Sequence, residues 1–431
     1  MESSHVIILL ILLGCMAAYI PVFMCLFFTA VLGFLLFTDL PLLLLAQTIF
    51  RSMDKFALVV VLFFILCGNI MTAGSIVEKL IKVANALVSW LPGGLGMAGV
   101  LACGLFGAIS GSTVATVVAL GGFMIPALLD NGYPEKYTVG LMTTSPNLGV
   151  IIPPSIGMIL YSMISNVSLE GLFLTGFLPG VLIMLGACLY SYLFFRKKKD
   201  IVRLPVPSFM DVLGIIKDGF WSLMLPAIIF GGIFSGAFTA NEAAVVACVY
   251  AFFVELCIHK SMKLADVKRI TVNSAVTSAT LLIIVAGATC FGNLLTLEDI
   301  PGKITEAVLA AVESPIMFLL AMNILLLFVG MFMDIISATL ILGPVFLPML
   351  DAFGISSMHF GLIMTVNLAI GYCTPPMGVS LYITGAIANR DIVYVSKAVI
   401  PFITIQIAVL MIITYLPDLV LWLPRLMGFS E

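Results

Sequence analysis

Four short polar interruptions stand inside otherwise apolar stretches, and their oxygen atoms could bind an ion. They lie at residues 110–113, 143–155, 330–334 and 367–376. Proline removes a backbone donor and glycine adopts unusual backbone angles, so each interruption is predicted to open a helix. Freed carbonyls together with Ser, Thr and Asn oxygens suit a small alkali cation. The N-termini of the helices that restart after each break suit a carboxylate.

Asp334 is the acidic residue within these interruptions. An acid at membrane depth indicates a functional site, because an unpaired charge there is costly. Its carboxylate could coordinate a cation, take up a proton, or bind a hydroxyl or amine of a substrate. It could also serve only as a cap for the helix that follows, so both kinds of role stay open.

The elements that hold these interruptions are predicted to lie in a membrane. The 431 residues are 62% hydrophobic and only 10% charged, with a mean hydropathy of +1.24, whereas a soluble domain has about 25% charged residues. This composition excludes a cytosolic enzyme, a nucleic-acid-binding protein and a disordered scaffold. Long Leu, Ile, Val and Phe runs favour helices over barrel strands, so the fold class is an all-α polytopic membrane protein.

Apolar stretches separated by charged and Pro/Gly-rich breaks predict ten crossings. Residues 92–131 and 314–352 are each too long for one crossing and carry a polar break in the middle, which predicts a re-entrant helical hairpin in each. The ten crossings are predicted at residues 5–19, 22–37, 56–73, 136–165, 168–195, 219–238, 241–258, 271–296, 357–388 and 392–424.

The basic residues predict the orientation of these crossings. A cytoplasmic loop at residues 196–203 puts 15 of the 19 Lys and Arg residues on the cytoplasmic side, which is a strong positive-inside bias. Both termini are then periplasmic, and the two hairpins open to opposite sides. The remaining basic residues, on the periplasmic side, are Arg51, Lys55, Lys303 and Arg425.

The two halves of the chain repeat each other. Pro126 recurs as Pro348, and residues 149–154 recur as 371–376, in both cases 222 residues later, while Gly68-Asn69 recurs as Gly292-Asn293. Five crossings in each half is an odd number, so the second copy is inverted. An inverted repeat with interrupted helices is typical of a secondary transporter whose site lies at the midplane. Two duplicated helical bundles without a transport role are the alternative.

The repeat also predicts which parts move. Residues 92–165 and 314–388, each a hairpin with a broken helix, form a transport part that slides against a scaffold. The scaffold comprises residues 1–91 with the first amphipathic arm, 166–313 with the cytoplasmic loop and second arm, and the C-terminal helix at 389–431. The arms, Ile76–Val88 and residues 304–312, carry charges at helical spacing and are predicted to lie along the interface and brace the hairpins.

The remaining reactive residue types give weak indications of enzymatic chemistry. His5, His259 and His359 fall near predicted membrane boundaries and leave no buried base for Ser110 or Ser112. The nine cysteines stand singly and are expected to be buried and inert. Glu242 is predicted to cap a helix. We therefore expect no enzyme and no organic cofactor, and an intramembrane hydrolase is a remote alternative.

The chain resembles the large membrane subunit of tripartite ATP-independent periplasmic (TRAP) transporters over essentially its whole length. The most specific segments run from Gly107 to Asp130 and from Tyr137 to Pro154. The resemblance implies an elevator-type, sodium-driven importer in the bacterial inner membrane, working with a small four-helix membrane subunit and a periplasmic substrate-binding protein. It implies a carboxylated substrate, with sialic-acid members nearest and C4-dicarboxylates as the second possibility.

The resemblance also implies binding residues, including at least two sodium sites and no other metal. Ser112 and Asp334 are assigned to both ion and substrate. The first sodium site falls on Ser110, Gly111, Ser112, Asn147 and Gly149, and the second on Gly330, Met333, Asp334, Gly371 and Thr374. The substrate is expected near Ser112, Thr113, Pro154, Ser155, Asp334 and Pro376. A stand-alone sodium- or proton-coupled anion permease, which needs no partner, remains the alternative function.

Overall fold

The chain folds into helices joined by short turns. The computed structural model describes residues 3–18, 20–38, 40–198 and 206–429, and no strand occurs in those ranges. Lys199 and Arg203 of the predicted cytoplasmic loop, and both chain ends, lie outside the described residues. The fold therefore confirms the all-α class.

The first half contains twelve helices in the described residues, and two irregular turns connect some of them. A π-helical turn spans Val117–Gly121, and a 3-10 turn spans Ser145–Asn147. The helices are α1 Ser3–Ala17, α2 Val22–Phe37, α3 Leu43–Met53, α4 Ala57–Ala73, α5 Ile76–Val88, α6 Gly94–Ser110, α7 Thr113–Thr116, α8 Gly122–Asp130, α9 Glu135–Thr144, α10 Leu148–Ile151, α11 Ile156–Ser165 and α12 Leu169–Phe195.

The second half follows the same order after the linking helix α13, Phe209–Asp218. A π-helical turn, Val254–Ile258, directly continues the helix Ala240–Phe253. The helices are α14 Phe220–Phe234, α15 Ala240–Phe253, α16 Leu264–Leu297, α17 Ile300–Ala311, α18 Pro315–Phe332, α19 Ile335–Phe353, α20 Ser357–Gly371, α21 Val379–Ala388, α22 Ile392–Tyr415 and α23 Pro417–Leu426.

Equivalent elements lie close to 222 residues apart. Helix α9 begins at Glu135 and α20 at Ser357, and the hairpin breaks fall at residues 111–112 and 333–334. One pair differs, because α3 and α4 meet at a bend of 54° around Asp54 and Lys55, whereas α16 runs unbroken for 34 residues. The element order thus supports the predicted repeat.

Two predicted boundaries are wrong, and two helices were not predicted. The span predicted at 392–424 ends at Tyr415, and a second helix starts at Pro417, because proline cannot donate the hydrogen bond that would continue the first. The span predicted at 271–296 begins earlier, at Leu264. Helices α3 and α13 were not predicted, since their charged residues divide short apolar runs.

Helix length and composition permit eight crossings in the described residues, or ten if each of two bent pairs counts as one. That set includes α18, α19 and the Thr113–Asp130 stretch, all of which are arms of the hairpins. Their re-entrant course and the direction of the termini therefore stay predictions.

The amphipathic arms contact the hairpins. Helix α5 packs on α6, and α17 packs on α19. The first arm has the predicted bounds, while the second begins at Ile300 instead of residue 304. Glu242 caps α15 as predicted, since its Oε2 accepts from the Thr239 N–H at 2.8 Å. The expectation that all cysteines are buried is wrong for Cys257, which is exposed, and for Cys15 and Cys188, which are half-buried.

The scaffold seam, formed by α3 and α4 against α16, joins the two repeats. Near one end, Asn69 Nδ2 donates to Ser274 Oγ at 2.8 Å. Near the other, Asn293 Nδ2 donates to Thr48 Oγ1 at 3.3 Å. These two asparagines belong to the Gly-Asn pairs that recur in the sequence, so each repeat uses its copy to bind the other repeat.

Candidate functional site

The tip of the first hairpin is a tight polar turn. Gly111 ends α6 with φ of +61°, a conformation that favours glycine. Ser112 is extended and caps α7, and its Oγ accepts from the Ala115 N–H at 3.4 Å. Thr116 Oγ1 donates to the Ser112 carbonyl at 2.7 Å and lies 3.3 Å from Ser110 Oγ. The turn therefore gathers several oxygen atoms into one small volume.

The broken helix of the first repeat meets this tip. Gly149 in α10 lies so close that a Cβ there would stand 2.7 Å from Thr116 Oγ1 and 3.1 Å from the Ser112 carbonyl oxygen. Gly111 accepts a hydrogen bond from the Ile156 N–H, which begins α11, at 3.5 Å. The structure thus brings together Ser110, Gly111, Ser112 and Gly149, four of the five residues predicted for the first sodium site.

The fifth residue, Asn147, is buried, but its side chain is engaged elsewhere. Its Nδ2 donates to Gln406 Oε1 at 2.9 Å, and its Oδ1 accepts from Cys373 Sγ at 3.4 Å. Gln406 Nε2 in turn donates to the Thr144 carbonyl at 2.9 Å. Gln406 lies on α22, so this scaffold residue fixes the break, and no local sequence signal identified it.

The tip of the second hairpin has a different backbone from the first. Met333 and Asp334 are both extended, and Asp334 Oδ2 accepts from the Ser337 N–H at 2.9 Å as the cap of α19. The Ile335 N–H donates to the Tyr372 hydroxyl at 3.1 Å. Asp334 therefore performs the capping role that sequence reasoning held open, and its charge also lies at the positive end of α19.

Glycines bring the second hairpin against its own broken helix. A Cβ on Gly371 would lie 2.6 Å from the Cα of Gly330, so the backbones of α18 and α20 are in contact. Thr374 follows in the break and donates to the Ile370 carbonyl at 2.8 Å. Gly330, Gly371 and Thr374 thus lie on adjoining segments, as the second predicted sodium site requires.

Several buried oxygens in the breaks have no hydrogen-bond partner among the described residues. Ser145 Oγ lies in the first broken helix and Asn367 Oδ1 in the second, at positions 222 residues apart. Thr113 Oγ1 and Ser337 Oγ, just after the two tips, are also unpartnered. Buried polar atoms normally have partners, so these oxygens fit the hard-ligand chemistry of an alkali cation.

A cavity of about 390 Å³ lies where both tips reach the scaffold. Ser110 and Ser112 line it from the first tip, and Ile336 lines it from the second. Small-molecule sites occupy roughly 300–1,000 Å³, so the cavity is large enough for a small solute. Both tips thus contribute to one cavity, which is partly open because Thr72, Val118 and Thr277 in its lining are exposed.

The scaffold wall of this cavity supplies polar residues that sequence reasoning missed. Asn69 and Thr72 on α4 and Thr277 on α16 line it opposite the tips. The Gly-Asn repeat pointed toward Asn69, but nothing in the sequence paired it with Ser110. No basic side chain is among the cavity's lining residues in the described part of the chain.

The other residues predicted for the substrate do not line this cavity. Ser155 is fully buried and caps α11, where its Oγ accepts from the Met158 N–H at 3.4 Å. The remaining ones lie within or beside the breaks: Thr113, Pro154, Asp334 and Pro376. Of the predicted substrate residues, Ser112 alone contacts the cavity.

Comparisons with known proteins place this architecture in a family. Residues 9–419 match the family model described as tripartite ATP-independent periplasmic transporter, DctM component. Among solved structures, the YdaH transporter of Alcanivorax borkumensis shares the fold with a TM-score of 0.65 at 15% identity, covering 89% of this chain and 90% of that one.

Relatives named as TRAP transporter permeases match most of this chain. The C4-dicarboxylate TRAP transporter large permease protein of Rhodobacter capsulatus is 37% identical, covering 99% of this chain and 100% of that protein. The sialic acid TRAP transporter large permease protein of Vibrio cholerae is 34% identical, covering 97% of this chain and 98% of that protein. The isethionate permease protein DctMQ of Oleidesulfovibrio alaskensis is 37% identical over 88% of this chain and 60% of its own length. The chain is therefore a member of the DctM family, the large permease subunits of TRAP transporters.

Proposed function

We propose that this permease takes up a small organic acid together with sodium ions. At least two sodium ions bind at the breaks, one beside Ser110, Gly111, Ser112 and Gly149 and one beside Gly330, Asp334, Gly371 and Thr374. The acid binds in the cavity between the tips and the scaffold. Sodium binding orders the turns, so that their N–H groups face the anion.

The observations that carry this proposal are the contribution of both tips to one cavity and the unpartnered oxygens in the broken helices. Ser112 and Ile336 line the same space, and Ser145 Oγ and Asn367 Oδ1 lie at equivalent positions of the two broken helices. A buried oxygen without a partner costs about 1–3 kcal/mol. A cation bound there would relieve that cost, which links ion binding to the stability of the site.

An asymmetry between the repeats supports an elevator movement. A Cβ on Gly68 would lie 3.3 Å from Ser110 at the first tip. The corresponding Gly292 has Pro344 as its nearest neighbour, at 3.9 Å. Pro344 lies ten residues beyond Asp334, or about 15 Å along α19. In the opposite state, the second tip would slide to Gly292 and the first would leave Gly68.

The cavity lining supports a hydroxylated acid as the substrate. Asn69, Thr72, Ser110, Ser112 and Thr277 offer amide and hydroxyl groups, and no lining residue is basic. A C4-dicarboxylate has two charges to neutralise, whereas a sialic acid has one carboxylate and several hydroxyls. We therefore propose a sialic acid as the first candidate. The named relatives support a C4-dicarboxylate as the second, since they include both classes at similar identity.

The family supports two further partners. A small membrane subunit would pack on the exposed apolar scaffold faces. The name DctMQ of one relative, of which this chain covers 60%, supports such a subunit fused to a permease in that protein. A periplasmic binding protein would deliver the acid. We place the complex in the bacterial inner membrane with both termini periplasmic, as the positive-inside bias predicts.

Reconstituted uptake tests this function. The chain, its small membrane subunit and a soluble binding protein are placed in proteoliposomes and offered N-acetylneuraminate, succinate or isethionate. We expect accumulation of one of them only under an inward sodium gradient. Equal accumulation under a potassium gradient would contradict sodium coupling. Uptake by the chain alone would favour the stand-alone permease.

A further inference from the structure

Three cavities follow one another along the scaffold seam. The inner cavity, of about 390 Å³, is the one at the hairpin tips. The middle cavity, of about 130 Å³, shares Ile156 and Leu281 with it. The outer cavity, of about 200 Å³, shares Lys55, Leu160 and Val285 with the middle one. These shared walls make the three cavities a continuous series.

Helix α16 forms one wall of the whole series. Thr277 lines the inner cavity and Thr296 lines the outer one. At 1.5 Å per residue these two positions are about 28 Å apart, which is close to the roughly 30 Å thickness of a hydrocarbon core. The series therefore extends over most of the depth of the membrane.

The two ends of the series are polar, and the middle is apolar apart from Lys55 and Ser278. Asn69 and Thr72 line the inner end, while Leu58, Val61 and Leu282 line the middle. The outer end is lined by Ser52, Lys55, Thr289, Asn293 and Thr296. Asn293 and Thr296 repeat the spacing of Asn69 and Thr72, so each repeat contributes one Asn-x-x-Thr pair to one end.

Lys55 is the basic residue of this series. It stands at the bend between α3 and α4, is exposed, and lines both the outer and the middle cavity. Within the described residues Lys55 forms no ion pair. It also lies on the side predicted to be periplasmic. An ammonium group in this place faces the side from which an acid would arrive.

The hydroxyls beside Lys55 donate to backbone carbonyls of their own helices, which leaves their oxygens as acceptors. Ser52 Oγ donates to the Ile49 carbonyl at 2.8 Å, Thr289 Oγ1 to Val285 at 2.8 Å and Thr296 Oγ1 to Gly292 at 2.9 Å. Their protons are therefore used within their own helices, while their lone pairs remain for a ligand. A ligand with hydroxyl donors and one carboxylate matches this set, with the carboxylate on Lys55.

We propose that the outer cavity is a binding site for a hydroxylated carboxylate, in which Lys55 holds the acid before it reaches the hairpin tips. This inference rests on the proposed function and adds a cationic residue that the tips themselves lack. Lys55 would act on acquisition of the acid and not on sodium binding.

Thiol protection tests this site without any transport step. The reporter is Met163→Cys, which lines the outer cavity from α11, in a Cys257→Ser background that removes the exposed native thiol. The thiol of the purified full chain in lipid nanodiscs is converted to a mixed disulfide by a charged methanethiosulfonate, with release of methanesulfinate, in the presence of N-acetylneuraminate, gluconate or succinate. We expect the two hydroxylated acids to slow this thiol modification more than succinate does.

Charge variants decide the role of Lys55. Lys55→Gln should raise the acid concentration needed for half protection about tenfold, and Lys55→Arg should restore it. Arg51→Gln is the matched control, because Arg51 is exposed one turn away and lines none of the three cavities. Equal protection in the wild type and Lys55→Gln, or no protection by any acid, would overturn the proposal. If acids protect the Met163→Cys thiol but the wild type shows no sodium-driven uptake, the proposed function is overturned and the outer binding site is not.

Discussion

Gly107 and Gly149 are in backbone contact, and Gly330 and Gly371 repeat this contact in the second half of the chain. A Cβ on Gly107 would overlap the Cα of Gly149, and one on Gly330 would lie 3.1 Å from the Cα of Gly371. In each repeat, the first arm of the hairpin is thus pressed directly onto the broken helix. This contact sets the distance between the tip and the break.

Alanine at Gly149 should separate the first tip from its break. The new methyl group would overlap Thr116 Oγ1 and the Ser112 carbonyl, and overpacking of this kind costs about 1–3 kcal/mol. We expect a lower melting temperature and weaker sodium dependence of uptake. Gly122→Ala in α8 is the control, since no atom lies within 4 Å of its added Cβ. Equal behaviour of the two variants would contradict the contact's role.

Removal of the unpartnered oxygens should weaken sodium binding. Ser145→Ala and Asn367→Ala are each expected to raise the sodium concentration for half-maximal uptake at least fivefold. Asn367→Ala also removes the hydrogen bonds that Asn367 Nδ2 donates to Asn323, so its melting temperature should fall as well. Thr138→Val is the control, because Thr138 Oγ1 is also buried and unpartnered but lies about two turns before the break. An identical sodium dependence in all three variants would show that the breaks do not bind the ion.

Substitution of Asp334 should separate its capping role from its charge. Asparagine keeps a capping oxygen for the Ser337 N–H, whereas alanine loses it at a cost of about 1 kcal/mol. We expect Asp334→Asn to melt like the wild type but to lose sodium-dependent uptake, and Asp334→Ala to lose both. Normal uptake by Asp334→Asn would reduce Asp334 to a structural cap.

Glu255 should be required for stability. It is fully buried, and its carboxyl group accepts from the N–H groups of Ser75 and Ile76 at 2.8 Å and from the hydroxyls of Ser75 and Ser261. It thereby holds the start of the first amphipathic arm. Glu255→Ala leaves these donors without partners, and we expect a loss of about 3 kcal/mol or more in unfolding free energy.

Glu242→Ala provides the comparison for Glu255→Ala, because Glu242 is exposed and caps α15, and Glu255 lies in the π-helical turn that continues the same helix. Its loss should cost no more than an ordinary N-terminal cap, about 1 kcal/mol. Denaturation of the two variants in detergent, monitored by tryptophan fluorescence, measures the difference. Similar melting of both variants would mean that the arm does not depend on Glu255.

His259 should make stability fall in acid. Burial lowers the pKa of His259 below its ordinary value of about 6.5, although Glu255 and Asp218 oppose this effect and Lys79 adds to it. The unfolded chain then binds a proton that the folded chain does not, so stability decreases as the pH drops below about 6.5. His259→Gln should melt with a flatter dependence between pH 8 and pH 5.5. The same slope in both proteins would contradict this assignment.

Local sequence features predicted the breaks and the first arm well. Proline pairs, glycines and helical charge spacing act within a few residues, and Ile76–Val88 has the predicted bounds. Long-range pairs could not be predicted, because packing alone brings them together. Asn147 and Gln406 are 259 residues apart, and Asn69 and Ser274 are 205 apart. The unpartnered state of Ser145 likewise depends on what surrounds it in the fold.

The affinity of the purified chain for N-acetylneuraminate, measured in sodium chloride and in choline chloride, tests the central claim most directly. Two ligands that bind at coupled sites change each other's affinity by the same factor. We predict that sodium tightens binding of the acid at least tenfold in the wild type and leaves it unchanged in the Ser145→Ala/Asn367→Ala double variant. Equally tight binding of the acid by the wild type in the two salts would contradict coupling between the sodium sites and the acid site.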